Sequence, residues 1–409
     1  MGNKLEVPIV DLSGKVAIVT GGNTGIGYEL VKGLAEMGAH TIMASRSEER
    51  ATAAIARIKE YSEKDLKVEF MRLDLGSIQS TKDFVRAFKE KNLPLHILIN
   101  NAAVAWIPYT KTDDGFEMTY QVNHICPFLL TLELLPIVLE TASTSGDGRI
   151  LFVSSGAHRR GFGATFNPDN LNSDIQYDRM KTYPYTKLYN VMTNYALQRR
   201  LQNVSVTVSA QEPGYVRTEL SRGWSDKSIL SLFNNIGYAT IARTPKEGAA
   251  TTLNCAINPA LNSQEAFYYD SCKVTAPNPD ARNETYQEEL WRRSVEALKD
   301  HLSPEILEKY GPSTAVESVQ PEPPSPPLPT EGETEEGEEI PTTAAATVTT
   351  GDTVTTEETT GDDNAEVKDQ PETVEEAGNT AVEEDTEAPV TEDAELSGGG
   401  AAAADNEEN

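Results

Sequence analysis

From Lys15 to Tyr269, short β-branched runs alternate with longer amphipathic stretches, and this alternation restricts the chain to one fold class. The runs at Lys15–Thr20, His40–Ala44, Val68–Leu73, His96–Ile99, Ile150–Val153, Val204–Ser209 and Ala266–Tyr269 read as strands. Ile26–Met37, Glu48–Tyr61 and Ser77–Lys91 read as helices between them. A helix between two strands implies a βαβ unit, which makes the strands parallel and covers both faces of the sheet. Right-handed crossovers then give an α/β, doubly wound parallel sheet of the Rossmann type. No break interrupts the pattern before Tyr310, so residues 1–310 are expected to form one domain.

Composition changes at Gly311. Residues 311–409 hold 28 acidic residues and one basic residue, Lys368, of the 64 and 35 in the chain. The front part is left with 36 acidic and 34 basic residues, so it is nearly neutral while the chain as a whole stands at −29. The segment opens with prolines between Pro321 and Pro329 and continues in Thr, Glu and Ala, with no aromatic residue. Such a stretch buries too little apolar surface to offset its ordering entropy, and is expected to be a disordered acidic tail. A solvating role is the plain reading; docking to a basic partner is the sharper one. Net charge therefore says little about the substrate of the folded part, and no nucleic-acid partner is expected. Cys126, Cys255 and Cys272 show neither metal-ligand spacing nor a disulfide framework, which points to a reducing compartment. No apolar stretch is read as long enough to span a bilayer, and the N-terminus lacks a signal-peptide core. A cytoplasmic location is expected, with peripheral membrane association left open.

Immediately after the first strand comes Thr20-Gly21-Gly22-Asn23-Thr24-Gly25-Ile26-Gly27. Glycines between a strand and a helix allow a tight turn and a close approach of backbone to a pyrophosphate. The helix N-terminus adds free N–H groups and a positive dipole end. At the end of the second strand, Ala44-Ser45-Arg46-Ser47 contains no carboxylate for a ribose 2′-hydroxyl, whereas Arg46 can pair with a 2′-phosphate. NADP(H) is the expected cofactor. A solvated arginine at a helix start is the bland alternative.

Tyr183-Pro184-Tyr185-Thr186-Lys187 places a phenol and an ammonium at i and i+4, on one helix face. Reducing a carbonyl needs a hydride on carbon and a proton on oxygen. A phenol near its ordinary value of about 10 is a poor partner at neutral pH, and a neighbouring Lys⁺ is expected to lower it. On its own the pair is weak, since such spacing is more often packing and surface.

It is accompanied, in order, by the glycine loop, Asn100-Asn101-Ala102-Ala103, Ser154-Ser155 and Pro213-Gly214, each following an expected strand. This combination resembles the short-chain dehydrogenase/reductase family over roughly Leu12 to Leu302. The resemblance implies that Gly21, Gly25 and Gly27, with Asn23, Thr24 and Ile26 between them, form the pyrophosphate loop. Asp74, followed by Leu75, would bond the adenine amino group. Asn101, with Ala102 and Ala103, would lie beside the adenosine ribose. Asn123 would help hold a water that relays protons to Lys187. Ser155 would bond the substrate carbonyl, Tyr183 would be the general acid or base, and Lys187 would also bond the nicotinamide ribose. The backbone of Val216 and Thr218 would hold the carboxamide. Ala103 stands where the family often has Gly. Val122-Asn123-His124, Ser154-Ser155-Gly156-Ala157-His158 and Tyr268-Tyr269-Asp270-Ser271-Cys272 look like the retinol-dehydrogenase-like branch, which includes the WW-domain-containing oxidoreductase. Cys126-Pro127 departs from that branch, which tends to have Gly-His.

His124, His158 and the scattered His40, His96 and His301 read as packing or surface, so no metal site is expected. Arg217–Thr244 is apolar enough to cap a pocket, and Gly156–Arg179 would form the other wall or a loop. The implied activity is interconversion of an alcohol and a carbonyl on a hydrophobic substrate such as a retinoid, lipid aldehyde or steroid, in a chain that could form homo-oligomers. A non-enzymatic NADP(H)-binding scaffold that uses its acidic tail is the rival; an epimerase or dehydratase is a weaker one.

Overall fold

The computed structural model describes residues 5, 7–159, 161, 163–216, 220, 242–261 and 268–311. They lie within one compact unit, Met1–Pro326. Thr218, most of the expected pocket cap and the acidic segment from residue 312 onward lie outside the described residues.

Eight strands form one sheet: β1 Val16–Thr20, β2 His40–Ser45, β3 Val68–Arg72, β4 Ile97–Asn100, β5 Gly148–Val153, β6 Val206–Glu212, β7 Tyr268–Asp270 and β8 Lys273–Val274. Their spatial order is β3-β2-β1-β4-β5-β6-β7-β8. Every neighbouring pair from β3 across to β7 is parallel. The exception is β8, which pairs antiparallel with β7. A two-residue turn makes this hairpin: Ser271 and Cys272 both adopt left-handed φ, 52° and 61°, the geometry that matches strand twist in a tight hairpin. The entirely parallel sheet expected from sequence thus gains an antiparallel edge.

Alternation along the central strands sorts side chains into two cores. Val16, Ile18, Leu98, Ile150, Phe152, Val206 and Val208 face one side; Ala17, Val19, Ile97, Ile99, Leu151 and Val153 face the other. Strands buried on both faces read as continuous apolar runs for this reason. The second face carries α1 Gly25–Glu36, α2 Glu48–Glu60 and α6 Pro245–Ile257. The first carries α3 Ile78–Glu90, α4 Met118–Ser145 and α5 Arg179–Arg200. The C-terminal helices α7 Pro279–Arg282, α8 Glu284–Leu298 and α9 Pro304–Tyr310 follow, and α8 lies against α5.

Helix α4 corrects the reading of the membrane signal. By length and composition it could cross a bilayer, with a mean hydropathy of 1.8 over its most apolar window, yet 78% of that window is buried. It is apolar all round because sheet, α3 and α5 enclose it. Its first part contains one π-helical turn, Gln121–Ile125.

The strand order reverses between β1 and β4, whose following helices lie on opposite faces. A crevice opens at the carboxyl ends of the strands at such a point. It encloses about 400 Å³ here, and the glycine loop, Arg46, Asp74, Asn101, Tyr183 and Lys187 all line it.

Candidate active site

The glycine loop forms the floor of the crevice. Gly21 and Gly25 take left-handed φ, +66° and +56°, which side chains with a Cβ rarely adopt. Gly27 has no room for a side chain: a Cβ there would lie 2.2 Å from the Gly21 carbonyl oxygen and 2.7 Å from Asn101 Nδ2. Helix α1 starts at Thr24 without a side-chain cap. By contrast, Ser47 and Ser77 cap α2 and α3. The first N–H groups of α1 are thus left for an anion at the crevice. Asn23, Thr24 and Ile26 line the same surface.

Thr20 and Asn101 set this floor against β4. The Thr20 hydroxyl accepts from the Asn101 and Ala102 backbone N–H groups, each at 3.0 Å. Asn101 Nδ2 donates to the Thr20 carbonyl at 2.8 Å. Ala102 and Ala103 border the crevice beyond.

At the end of β2, Ser45 is buried, and Arg46 points into solvent along the crevice rim. Arg50, one turn into α2, lines the same rim. The spacing was available in the sequence, but only the helix start at Glu48 brings Arg50 round to Arg46. Asp74 and Leu75 close this end of the crevice, and Asp74 Oδ1 accepts from Gly76 N–H at 3.0 Å. These features fit a dinucleotide: uncapped amides and a floor closed to side chains for the pyrophosphate, and two guanidinium groups at the adenosine-ribose end.

At the other end stand β5 and α5. Helix α5 is capped by Asp178, which accepts from Met180 N–H, and from Thr182 to Asn194 it is buried at every position except Tyr185. Tyr183 is 5% exposed and Lys187 2%. The two serines after β5 have separate tasks. Ser154 donates to the Lys187 carbonyl at 2.8 Å, while the Ser155 side chain hydrogen-bonds the Tyr183 phenol. Lys187 Nζ donates to the Val153 carbonyl at 2.8 Å and lies 5.5 Å from the Tyr183 ring centroid.

Asn123 sits in the π-turn of α4, an irregularity common at functional sites. Its Nδ2 donates to the Val104 carbonyl at 2.9 Å and to Thr186 Oγ1 at 3.0 Å, and its Oδ1 accepts from Val104 N–H at 2.9 Å. Asn123 thereby ties the loop after β4 to α5 one residue before Lys187.

Burial sets the electrostatics. It pushes the Tyr183 phenol up to about 12, with the Ser155 hydrogen bond pulling the other way. It pushes Lys187 down to about 7. Lys187, itself pushed toward its neutral form by burial, does not offset this, so the phenol is not lowered as the spacing led one to expect.

Some expected residues are not gathered here. Val216 forms a β-bridge with Arg243 and is not among the residues lining the crevice; Thr218 lies outside the described residues. Others carried no signal in the sequence. Trp106 holds a left-handed φ of 53° and places its indole 4.8 Å from the Tyr183 ring, tilted by 45°. Arg179 Nε and the Tyr177 hydroxyl donate to the Trp106 and Ile107 carbonyls. Ile107, Val104, Val122 and Leu220 give this end of the crevice apolar walls. Among the described residues no group of His, Cys, Asp or Glu is placed to hold a metal ion.

Comparison with known proteins agrees with this layout. A family model described as short chain dehydrogenase matches residues 15–167. Human retinol dehydrogenase 12 is 39% identical over 289 residues, covering 71% of this chain and 88% of that protein. Human polyprenol dehydrogenase is 37% identical over 299 residues, covering 72% and 88%. The human WW domain-containing oxidoreductase is 37% identical over 302 residues, covering 71% and 70%. A crystal structure of an uncharacterised protein from Mycobacterium paratuberculosis superposes with a TM-score of 0.57 at 26% identity, covering 71% of this chain and 96% of that one. On this likeness the chain belongs to the short-chain dehydrogenase/reductase family, as an oxidoreductase of its retinol-dehydrogenase-like branch.

Proposed function

We propose that this oxidoreductase interconverts an alcohol and a carbonyl on a hydrophobic substrate, using NADP(H). The observation that carries the reading is that Tyr183, hydrogen-bonded to Ser155, and Lys187 line one end of a crevice whose other end holds the glycine loop and Arg46. When bound, the nicotinamide supplies or accepts the hydride. Tyr183 gives its proton to the carbonyl oxygen during reduction and takes it back from the alcohol during oxidation. A phenol held up at about 12 is fully protonated at neutral pH, as a proton donor must be. Once the proton leaves, the Ser155 hydroxyl and the Lys187 ammonium stabilise the phenolate.

The apolar wall of Val104, Ile107 and Val122, with the Trp106 indole against the Tyr183 ring, supports a hydrophobic substrate. So do relatives named for retinol and polyprenol. Arg46 and Arg50 support the phosphorylated cofactor, since a guanidinium pair favours a 2′-phosphate over a hydroxyl. Three free thiols are in keeping with a cytoplasmic location. Asn123 and Asn101 serve as positioning residues, joining the loop after β4 to α5 and to β1.

With retinoid and aliphatic aldehydes as the substrate panel, Tyr183→Phe is expected to lower kcat by roughly 10²- to 10⁴-fold with cofactor affinity preserved. Near wild-type turnover in that variant would remove Tyr183 from the mechanism. Cofactor binding without turnover by the wild type on any carbonyl would favour the scaffold reading.

Arg46→Ala and Arg50→Ala are each expected to weaken NADPH binding by about tenfold, equivalent to about 1.4 kcal/mol. NADH binding should be unchanged, and fluorescence titration with both cofactors measures the difference. An unaltered NADPH/NADH ratio in both variants would reverse the cofactor assignment.

Burial of Lys187 also links pH to stability. Its folded value is about 7 against 10.5 for a free lysine. Below about 7 both folded and unfolded chains carry the proton. Between the two values the unfolded chain holds more of it, so stability rises with pH across that window. Lys187→Met should lack this rise. Melting temperatures at about pH 7 and pH 9.5 are expected to show the wild type gaining at least roughly 2 °C relative to the variant. Parallel curves would show that Lys187 is charged throughout.

A further inference from the structure

We infer that His158 is a positioning residue for Ser155, holding the serine hydroxyl in register with Tyr183 through a single tautomer of its ring. The inference rests on the proposed roles of Ser155 and Tyr183.

Ser155 needs outside support. The β5–β6 ladder ends with Val153 opposite Gln211, and the last bond to β6 is from Ser154 N–H to the Gln211 carbonyl at 2.8 Å. Ser155 lies just beyond, in extended backbone, before the short turn Gly156–His158. That turn folds back on the serine. His158 N–H donates to the Ser155 carbonyl at 3.0 Å, and the ring Nδ1 meets the same oxygen at 2.7 Å. The Ser155 hydroxyl oxygen accepts from Ala157 N–H at 3.2 Å.

The far side of the ring fixes which nitrogen carries the proton. Asn278 backbone N–H points at Nε2 from 3.1 Å. An amide N–H only donates, so Nε2 is bare. The Ser155 carbonyl only accepts, so Nδ1 carries the hydrogen. Both neighbours demand the same neutral tautomer. Burial keeps the ring neutral, pushing it down to about 4, and its side chain is closed off from solvent.

Asn278 anchors this clamp to the C-terminal part of the unit. Its Nδ2 donates to the His158 carbonyl at 2.7 Å and to the Ala164 carbonyl at 2.9 Å. Its Oδ1 accepts from Asp280 N–H at 2.9 Å. The His158 ring also lies 4.8 Å from that of Tyr268. The Tyr268 hydroxyl donates to Glu212, and Glu212 pairs with Arg159 at 3.3 Å. A histidine in this position does no proton transfer with substrate. It sets where the serine oxygen stands.

Two amide substitutions separate the two ring nitrogens. Asn places an N–H near the Nδ1 position and cannot reach Asn278. Gln places an amide near the Nε2 position and leaves the Ser155 carbonyl without its side-chain donor. In the full-length enzyme, with NADPH and an aldehyde that the wild type turns over, His158→Gln is expected to lower kcat by roughly 10- to 100-fold. Its KM for NADPH should be unchanged, and His158→Asn should stay within about fivefold of wild-type kcat. Asn278→Ser, which releases the His158 carbonyl, should lower kcat in the same sense and serves where the Gln variant does not fold. A purely structural role predicts another pattern: equal losses of melting temperature in the Asn and Gln variants, with equal kcat per folded molecule. That pattern, or an Asn variant as impaired as the Gln variant, overturns the inference. Absence of wild-type turnover would instead overturn the reading of Ser155 and Tyr183 on which it rests.

Discussion

Three hydrogen bonds between Thr20 and the Asn101-Ala102 segment hold the tips of β1 and β4 together where the order of the sheet reverses. Parallel strands that send their helices to opposite faces leave a gap at that point. Gly27 can pass beneath Asn101 only because it has no Cβ, so α1 starts with its amides level with the crevice floor. The same β4 tip leads into the loop that Asn123 pins to α5. One strand junction thus places the glycine-loop end and the Tyr183–Lys187 end of the crevice relative to each other.

The reactive end works against stability. Tyr183 and Lys187 are almost wholly buried, and burial moves their proton affinities toward the neutral forms of both. A charged pair in that position would cost folding free energy. A neutral phenol beside a lysine near its midpoint costs less, and in the proposed mechanism the phenolate appears only as the proton moves. Preorganised polar groups around developing charge are the usual source of catalytic advantage. In the proposed mechanism Ser155, hydrogen-bonded to the phenol and to the His158 ring through its carbonyl, would provide that polarity.

Much of the fold was legible because its signals are local. Alternating β-branched runs and amphipathic stretches marked the first six strands to within about two or three residues at each end, and the glycine loop announced the strand-to-helix turn. The misses have physical causes. Strand β8 is two exposed residues held by the Ser271-Cys272 turn, so no apolar pattern marks it. Most of helix α4 is enclosed, and its composition copies that of a membrane span. At the site, residues within motifs could be named from sequence, because spacing fixes their neighbours. Arg50 was legible by its spacing from Arg46 on the expected helix, but Trp106 and the His158–Asn278 clamp were not. They depend on chain segments that meet only in space, up to 120 residues apart. The expected lowering of the Tyr183 phenol failed because a spacing says nothing about how much water is excluded around it.

The most direct test of the account follows the hydride itself. Wild-type enzyme is incubated with NADPH deuterated at the reactive position of the nicotinamide and a retinoid or aliphatic aldehyde, and the alcohol is recovered for mass spectrometry. The account predicts one deuterium on the carbinol carbon of each product molecule and none exchanged from solvent at that carbon. Alcohol formed without the label, or cofactor held in the crevice with no alcohol formed from any aldehyde, would contradict it.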